Sequence, residues 1–279
     1  MNVERIPFDS IYLEIYKLSE GIYASIWNQK LGPSSNAGFF DLGNITIVFD
    51  TMMDPFSTRD MISAAKSITG KDPFLLINSH AHMDHVFGNR LFPNSMPILS
   101  SNGTLSRFQK ELIEQFDNLR NNAPTQYKNT EELLQNEKDS NKIIELKNDL
   151  ITYKEVQDPN FKLRSPDLIL HDRMTIYGTN RSVQIINVGN AHSNEDIIAY
   201  FPDEKICFMG DLLFTNLDPA WANGINGTPW AVDPQNFRDV MKTYYEKELD
   251  VYVPGHGGLC SKKEVQATID YLNKYFLNK

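Results

Sequence analysis

The chain has 279 residues, 41% of them hydrophobic, and a formal net charge of −9. That is enough to bury one large α/β core, so a single domain over residues 1–279 is expected. Acidic and basic residues are mixed with no basic block, which speaks against nucleic acid as a partner, and no apolar run is long enough to span a membrane. The N-terminus, Met1 to Pro7, has no apolar leader core, so a cytoplasmic location is the expectation. Cys207 falls inside a predicted strand and Cys260 lies near the C-terminus. Two such cysteines make no disulfide framework.

In chain order, Leu13–Leu18 and Ile22–Trp27 flank Ser19-Glu20-Gly21 and read as a β-hairpin. A loop, Gly32–Asn36, leads into Gly38–Phe40 and Ile45–Phe49, joined at Gly43-Asn44 with hairpin chemistry. Asp50 ends that strand. Ser57 is placed to cap a helix through Met61, Ile62, Ala65 and Ile68, which Gly70 stops. Phe74-Leu75-Leu76-Ile77 reads as a buried strand, and Met96–Ser100 as a further short one. From about 102 to 158 the text turns charged and helical. Phe108, Leu112, Phe116 and Leu119 form one stripe ending at Pro124, and Ile143, Leu146, Leu150 and Tyr153 form a second. The second half returns to strands at Met174–Tyr177, Ser182–Val188, Ile197–Phe201, Lys205–Met209 and Asp250–Tyr252. Helices follow at Pro234 and after Ser261.

Between two of these strands stands Asn78-Ser79-His80-Ala81-His82-Met83-Asp84-His85, which holds three of the six histidines. It follows a strand directly, a usual place for chemistry in a layered α/β protein. Side chains alternate in extended backbone, so His80 and His82 point the same way and can share one ion. Asp84 and His85, past the turn, are placed for a second. Imidazole and carboxylate suit zinc, with iron or manganese as lesser options. His192, Asp211 and His256 each follow a predicted strand, as expected where loops converge on one pocket. His171 fits no such pattern.

His-x-His-x-Asp-His, a later His, Gly210-Asp211 after a strand, and Pro254-Gly255-His256-Gly257 together resemble the metallo-β-lactamase fold superfamily along nearly the whole chain. The resemblance implies an αββα sandwich, here with a helical hairpin inserted at about 102–158. It implies two Zn2+ ions, the first held by His80, His82 and His192, the second by Asp84, His85 and His256, with Asp211 bridging both. It implies a hydrolase in which a hydroxide between the ions attacks the substrate, Asp84 orients that nucleophile, and Asp50 supports the metal loop from behind.

The substrate expected is a small ester, lactone or thioester. Alternatives on the same fold are a true β-lactamase, a phosphodiesterase and an iron-dependent redox enzyme. β-Lactam cleavage is demoted because Asp211 stands where one lactamase subclass has a metal-binding Cys, and Phe214 stands where that subclass has a Lys. The loop from Leu213 to Val232 is read as the specificity loop, with Trp221, Asn223 and Trp230 as substrate contacts and Asn216 and Asn226 beside them. The hairpin is expected to act as a lid, with homodimerisation as the alternative.

Overall fold

The computed structural model describes residues 3–32, 34–223 and 230–277. The first half of the chain builds an eight-stranded sheet whose strands lie in sequence order: β1 (Glu4–Ile6), β2 (Leu13–Ser19), β3 (Ile22–Trp27), β4 (Ala37–Asp41), β5 (Thr46–Phe49), β6 (Pro73–Ile77), β7 (Ile98–Ser101) and β8 (Leu168–Leu170). The first five pair antiparallel, and β5 to β8 run parallel. The second half builds a five-stranded sheet from β9 (Arg173–Tyr177), β10 (Ser182–Asn187), β11 (Ile197–Phe201), β12 (Ile206–Phe214) and β13 (Val251–His256), with only β12 and β13 parallel.

The inner faces of the two sheets meet in one apolar layer that includes Phe40, Ile47, Ile77, Ile185, Phe208 and Val253. On the outer face of the first sheet, α1 (Pro55–Thr69) buries Met61, Ala64 and Ala65. After β6, residues 78–82 lead into the short helix α2 (Met83–Val86). The second sheet is covered by two later helices, Pro234–Glu246 and Lys262–Leu272, through Phe237, Met241, Val265 and Ile269. The result is the expected α/β, αββα sandwich. Apolar residues on both faces of β3, β5, β11 and β12 explain why these strands read as continuous hydrophobic runs rather than alternations.

The insertion is the crossover between the parallel neighbours β7 and β8, so both its ends lie at the edge of the first sheet. It comprises α3 (Asn102–Arg107), a π turn over Phe108–Leu112, α4 (Ile113–Asn136) and α5 (Ser140–Val156). The predicted stop at Pro124 is wrong. The helix runs through it to Asn136, because Phe116 and the fully buried Ala123 anchor it to Phe87 and Val156, and that packing outweighs one forfeited backbone bond. The second helix does not begin near Asn129 or Thr130, as its sequence suggests; the break falls at residues 137–139, beside the Asp139-Ser140-Asn141 stretch whose composition offers one, and Asp139 caps α5 through the amides of Asn141 and Lys142. The hairpin is fixed to its own domain. Arg90 and Arg59 both reach Glu155, at 2.6 and 3.3 Å, and Arg120 ties α4 to the carbonyls of Val156 and Phe161. α5 also packs against the turn Gln29–Leu31.

Other corrections are local. Asp54, not Ser57, caps α1: its carboxylate accepts from the amides of Phe56 and Ser57, with Pro55 in the first turn. Phe74 is 57% exposed, so only Leu75 to Ile77 of that run are core. β1 and β8, three residues each, carry too little pattern to be read. The two remaining helices, α6 (Pro234–Glu246) and α7 (Lys262–Leu272), match expectation, and α7 begins with a full capping box between Ser261 and Glu264. Cys207 and Cys260 are both buried free thiols. No described helix is long and apolar enough to cross a membrane.

Candidate metal centre

Seven side chains from four segments meet at one end of the sandwich. The loop after β6 supplies His80, His82, Asp84 and His85; the β10–β11 loop supplies His192; β12 supplies Asp211; β13 supplies His256. Ser57 to Gly70 and the hairpin contribute none. They fall into two groups, His80–His82–His192–Asp211 and Asp84–His85–His256, and within each the ligand atoms lie within 4.8 Å of one another. His171 is exposed and belongs to neither.

Asp211 joins the groups. Its Oδ2 lies 3.4 Å from His192 Nε2, 3.6 Å from His80 Nε2 and 3.9 Å from His82 Nδ1. Its Oδ1 lies 3.0 Å from His85 Nε2 and 3.4 Å from His256 Nε2. Asp84 Oδ2 completes the second group, 3.3 Å from His256 Nε2 and 3.9 Å from His85 Nε2. One carboxylate thus presents one oxygen to each cluster.

Backbone conformation makes this possible. β12 continues past the point where the apolar run ends, so Asp211 lies inside the strand, beside a register irregularity at Gly210. Gly210 has φ +52°, and a Cβ there would come within 2.9 Å of Ser79. Gly255, facing it on β13, leaves the space that Asp211 Oδ1 fills; a Cβ at that position would collide with it. The Gly of the Pro-Gly-His segment is therefore required by the carboxylate next to it.

Four of the five histidines have their outward nitrogen committed to an acceptor. His85 Nδ1 donates to Asp50 Oδ2 at 2.9 Å, His192 Nδ1 to the Trp230 carbonyl at 2.7 Å, and His256 Nδ1 to the Ser34 carbonyl at 3.0 Å. Ser79 donates its hydroxyl proton to Asp50 Oδ2 at 2.7 Å, so it accepts from His80 Nδ1 at 2.9 Å. In each case the proton is drawn outward and a bare nitrogen faces the cluster. Asp50 is buried at φ +62° and also accepts from the Ser79 amide, so it braces two of these residues at once. The sequence pointed to Asp50. It had no signal for the two backbone carbonyls, because a main-chain acceptor has no side-chain letter.

These residues fit metal ions. With their protons turned outward, His80 Nε2 and His192 Nε2 are lone pairs that stand 2.8 and 3.1 Å from His82 Nδ1. A cation between them satisfies all three nitrogens at once, where a proton on His82 Nδ1 would serve only one. His85 Nε2 and Asp211 Oδ1 are buried with no hydrogen-bond partner, an unusual and costly condition that a shared cation would relieve. Burial, with His85 and His82 next to it, holds His80 well below the usual histidine range. Burial also brings His82 down to about 4. Burial works to raise the Asp211 carboxyl, but His85, His256 and His80 around it hold it well below the usual carboxylate range. His80 and His82 are thus held neutral beside an ionised Asp211, the protonation states that bind metal. His85 and His256 go the other way: against burial, the Asp211 charge raises both, and Asp50 and Asp84 add to this at His85, so a cation binding there takes the place of a proton.

Beside His256 opens a cavity of about 410 Å3, walled by Trp27, Gln29, Phe214, Asn216 and Trp221. Trp221 is thus placed where a substrate contact was expected. Trp230 is not: it is 1% exposed, packed among Phe237, Tyr271 and Phe276, and serves the site only through its carbonyl. Asn223 is exposed and does not line the cavity. Asn226 lies outside the described residues. Trp27, the last residue of β3, and Gln29 and Ser34, from the loop after it, have no signal in the sequence, since that stretch carries no ionisable signature.

Residues 32–99 match the family model described as the metallo-beta-lactamase superfamily. No curated protein sequence matches the chain. Among solved structures, a metallo-beta-lactamase from Pontibacter korlensis is 14% identical over 98% of this chain and 99% of its own, with a TM-score of 0.60. DIM-1 metallo-beta-lactamase is 16% identical over 97% and 99%, with a TM-score of 0.63. FIM-1 from Pseudomonas aeruginosa, solved in a mono-zinc form, is 14% identical over 96% and 97%, with a TM-score of 0.62. At these identities the shared property is the fold.

Proposed function

We propose that this chain, a member of the metallo-β-lactamase superfamily, is a dinuclear zinc hydrolase of a small ester, lactone or thioester. The observation that carries the reading is the Asp211 carboxylate, with one oxygen turned to His80, His82 and His192 and the other to His85 and His256. When bound in such a pair of sites, zinc ions lower the pKa of a coordinated water toward about 7 and polarise the oxygen under attack. The protein supplies the rest. Asp50, Ser34 and the Trp230 carbonyl hold the imidazoles in one tautomer and one orientation. Asp84, half-buried at the rim, accepts a hydrogen bond from the attacking water and aims it. The aromatic walls of the cavity beside His256 exclude water and seat the apolar part of the substrate, while Gln29 and Asn216 supply polar contacts.

The test is a panel of p-nitrophenyl acetate, a γ-lactone, a penicillin and bis-p-nitrophenyl phosphate, run before and after chelation and after zinc is restored. Ester or lactone turnover that disappears on chelation and returns with zinc supports the proposal. Penicillin as the best substrate, or ester turnover indifferent to chelation, contradicts it.

A further inference from the structure

Arg107 is a largely buried cation whose Nε has no hydrogen-bond partner. It closes α3 and is 9% exposed. Its ion-pair partner is Glu111, a 55% exposed side chain whose Oε2 lies 2.9 Å from Nε but out of line with the N–H, so that Nε makes no hydrogen bond. Other arginines held against the body of the protein are satisfied. Arg90 donates to Glu155 and the Phe87 carbonyl, Arg120 to the carbonyls of Val156 and Phe161, and Arg164 to carbonyls that include Pro93. A guanidinium has five N–H donors, and leaving even one unpaired out of water is expensive.

The position of Arg107 says what it faces. At its start, α3 is docked on the loop that carries His192: Ser101 donates its hydroxyl to the Glu195 carbonyl at 2.8 Å, and the Gly103 amide donates to the Glu195 carboxylate at 2.6 Å. A side chain at Gly103 would collide with the Asn194 carbonyl, so that contact is close. At its end, Phe108 and Leu112 share an apolar cluster with Ala81 and Val86 of the metal loop. Arg107, immediately before Phe108, therefore lies on the helix that is held between the loops bearing His82 and His192. Of the first three histidines, His82 is the one with an open side, at 22% exposure.

We propose that Arg107 is a specificity residue that holds a carboxylate of the substrate next to the His82 side of the site, an inference that rests on the hydrolase reading. A carboxylate supplies two coplanar acceptors that match the guanidinium fork. It also compensates the buried charge, which Glu111 does from one side only. The preferred substrate is then an anionic ester or lactone with its carboxylate on the His82 side and its apolar part in the cavity beside His256. The inserted hairpin thereby contributes to selectivity through its first helix.

The experiment compares the zinc-loaded full chain with Arg107→Met and Arg107→Lys on two esters, p-nitrophenyl acetate and mono-p-nitrophenyl glutarate. Calorimetric titration with free glutarate runs in parallel. Loss of a charge-assisted pair is expected to raise KM for the glutarate ester at least about tenfold in Arg107→Met, with kcat nearly unchanged and the acetate ester unaffected. Glutarate binding should weaken by a similar factor, and Arg107→Lys should fall between. If Arg107→Met does not fold, the partial effect in Arg107→Lys carries the test. Equal losses on both esters, or no change on either together with unchanged glutarate binding, overturn the proposal. If neither ester is cleaved by any form while glutarate binding still depends on Arg107, the hydrolase reading fails and the assignment of Arg107 stands.

Discussion

The Phe214 ring stacks on the His256 imidazole, with centroids 5.0 Å apart and planes within 7°. Trp221 continues the aromatic surface, 5.0 Å from Phe214. One face of a proposed metal ligand is thus also a wall of the cavity, and the same ring serves packing and recognition.

Phe214→Ala removes a stacking contact worth about 0.5–1.5 kcal/mol and opens the cavity. The Ser34 carbonyl still fixes His256 Nδ1, so both ions should stay. Steady-state kinetics on a series of p-nitrophenyl esters of increasing acyl length should show the optimum moving to longer chains, with metal content unchanged. Loss of a metal instead would mean that the stack, rather than the carbonyl, orients His256.

Asp50→Asn keeps the size of the side chain and tolerates the left-handed backbone at φ +62°. It removes the charge that His85 Nδ1 and Ser79 share. Metal affinity is expected to fall about 10–100-fold, as for other groups that orient metal ligands from behind. Competition with a zinc chelator measures this directly, and an affinity within twofold of the parent would show that Asp50 serves only the fold.

Gly255→Ala places a methyl group on the space of Asp211 Oδ1. Circular dichroism should report a folded protein, and elemental analysis less than the full complement of zinc. Full occupancy would show that the carboxylate has room to move aside without losing its role.

Asp149 lies on α5 among Asp54, Glu145 and Asn148, and burial followed by the charge of Glu145 raises its pKa to about 6. The folded state therefore binds this proton more tightly than the unfolded chain. The resulting stability is complete below about pH 4 and is lost as pH rises through about 6. At this partly exposed position solvent screening leaves about 1 kcal/mol of the effect. Asp149→Asn should therefore be more stable than the parent at pH 8 by about that amount. At pH 4 the two should be equal in urea unfolding. A gain of the same size at both pH values would remove the titration of Asp149 as the cause.

Much of the site was legible because its chemistry is written in rare letters at strand ends. His80, His82 and His85 are close in sequence, and His192, Asp211 and His256 each follow an apolar run. What supports them was less visible. Ser34 and Trp230 act through carbonyls, so their identities carry no information about that role. Trp230 reads as a recognition residue by its chemistry, yet its ring fills the core. Arg107 sits in a charged helical stretch where most cations are solvated, and only the packing of its helix between two loops sets it apart. Pro124 misled for a related reason: local propensity ends the helix there, while burial of Ala123 and Phe116 continues it. The helix stop at Gly70 and the helix start at Ser261 depend on neighbours alone and were legible in the sequence.

The central claim is that Asp211 joins two metal ions in one reactive centre. The most direct measurement is the zinc content of Asp211→Ala by elemental analysis, read beside its hydrolytic activity, with His171→Ala as the control outside the cluster. The account predicts that Asp211→Ala loses bound zinc and hydrolysis together while His171→Ala keeps both. Two zinc ions per chain and near-parent turnover in Asp211→Ala would contradict it.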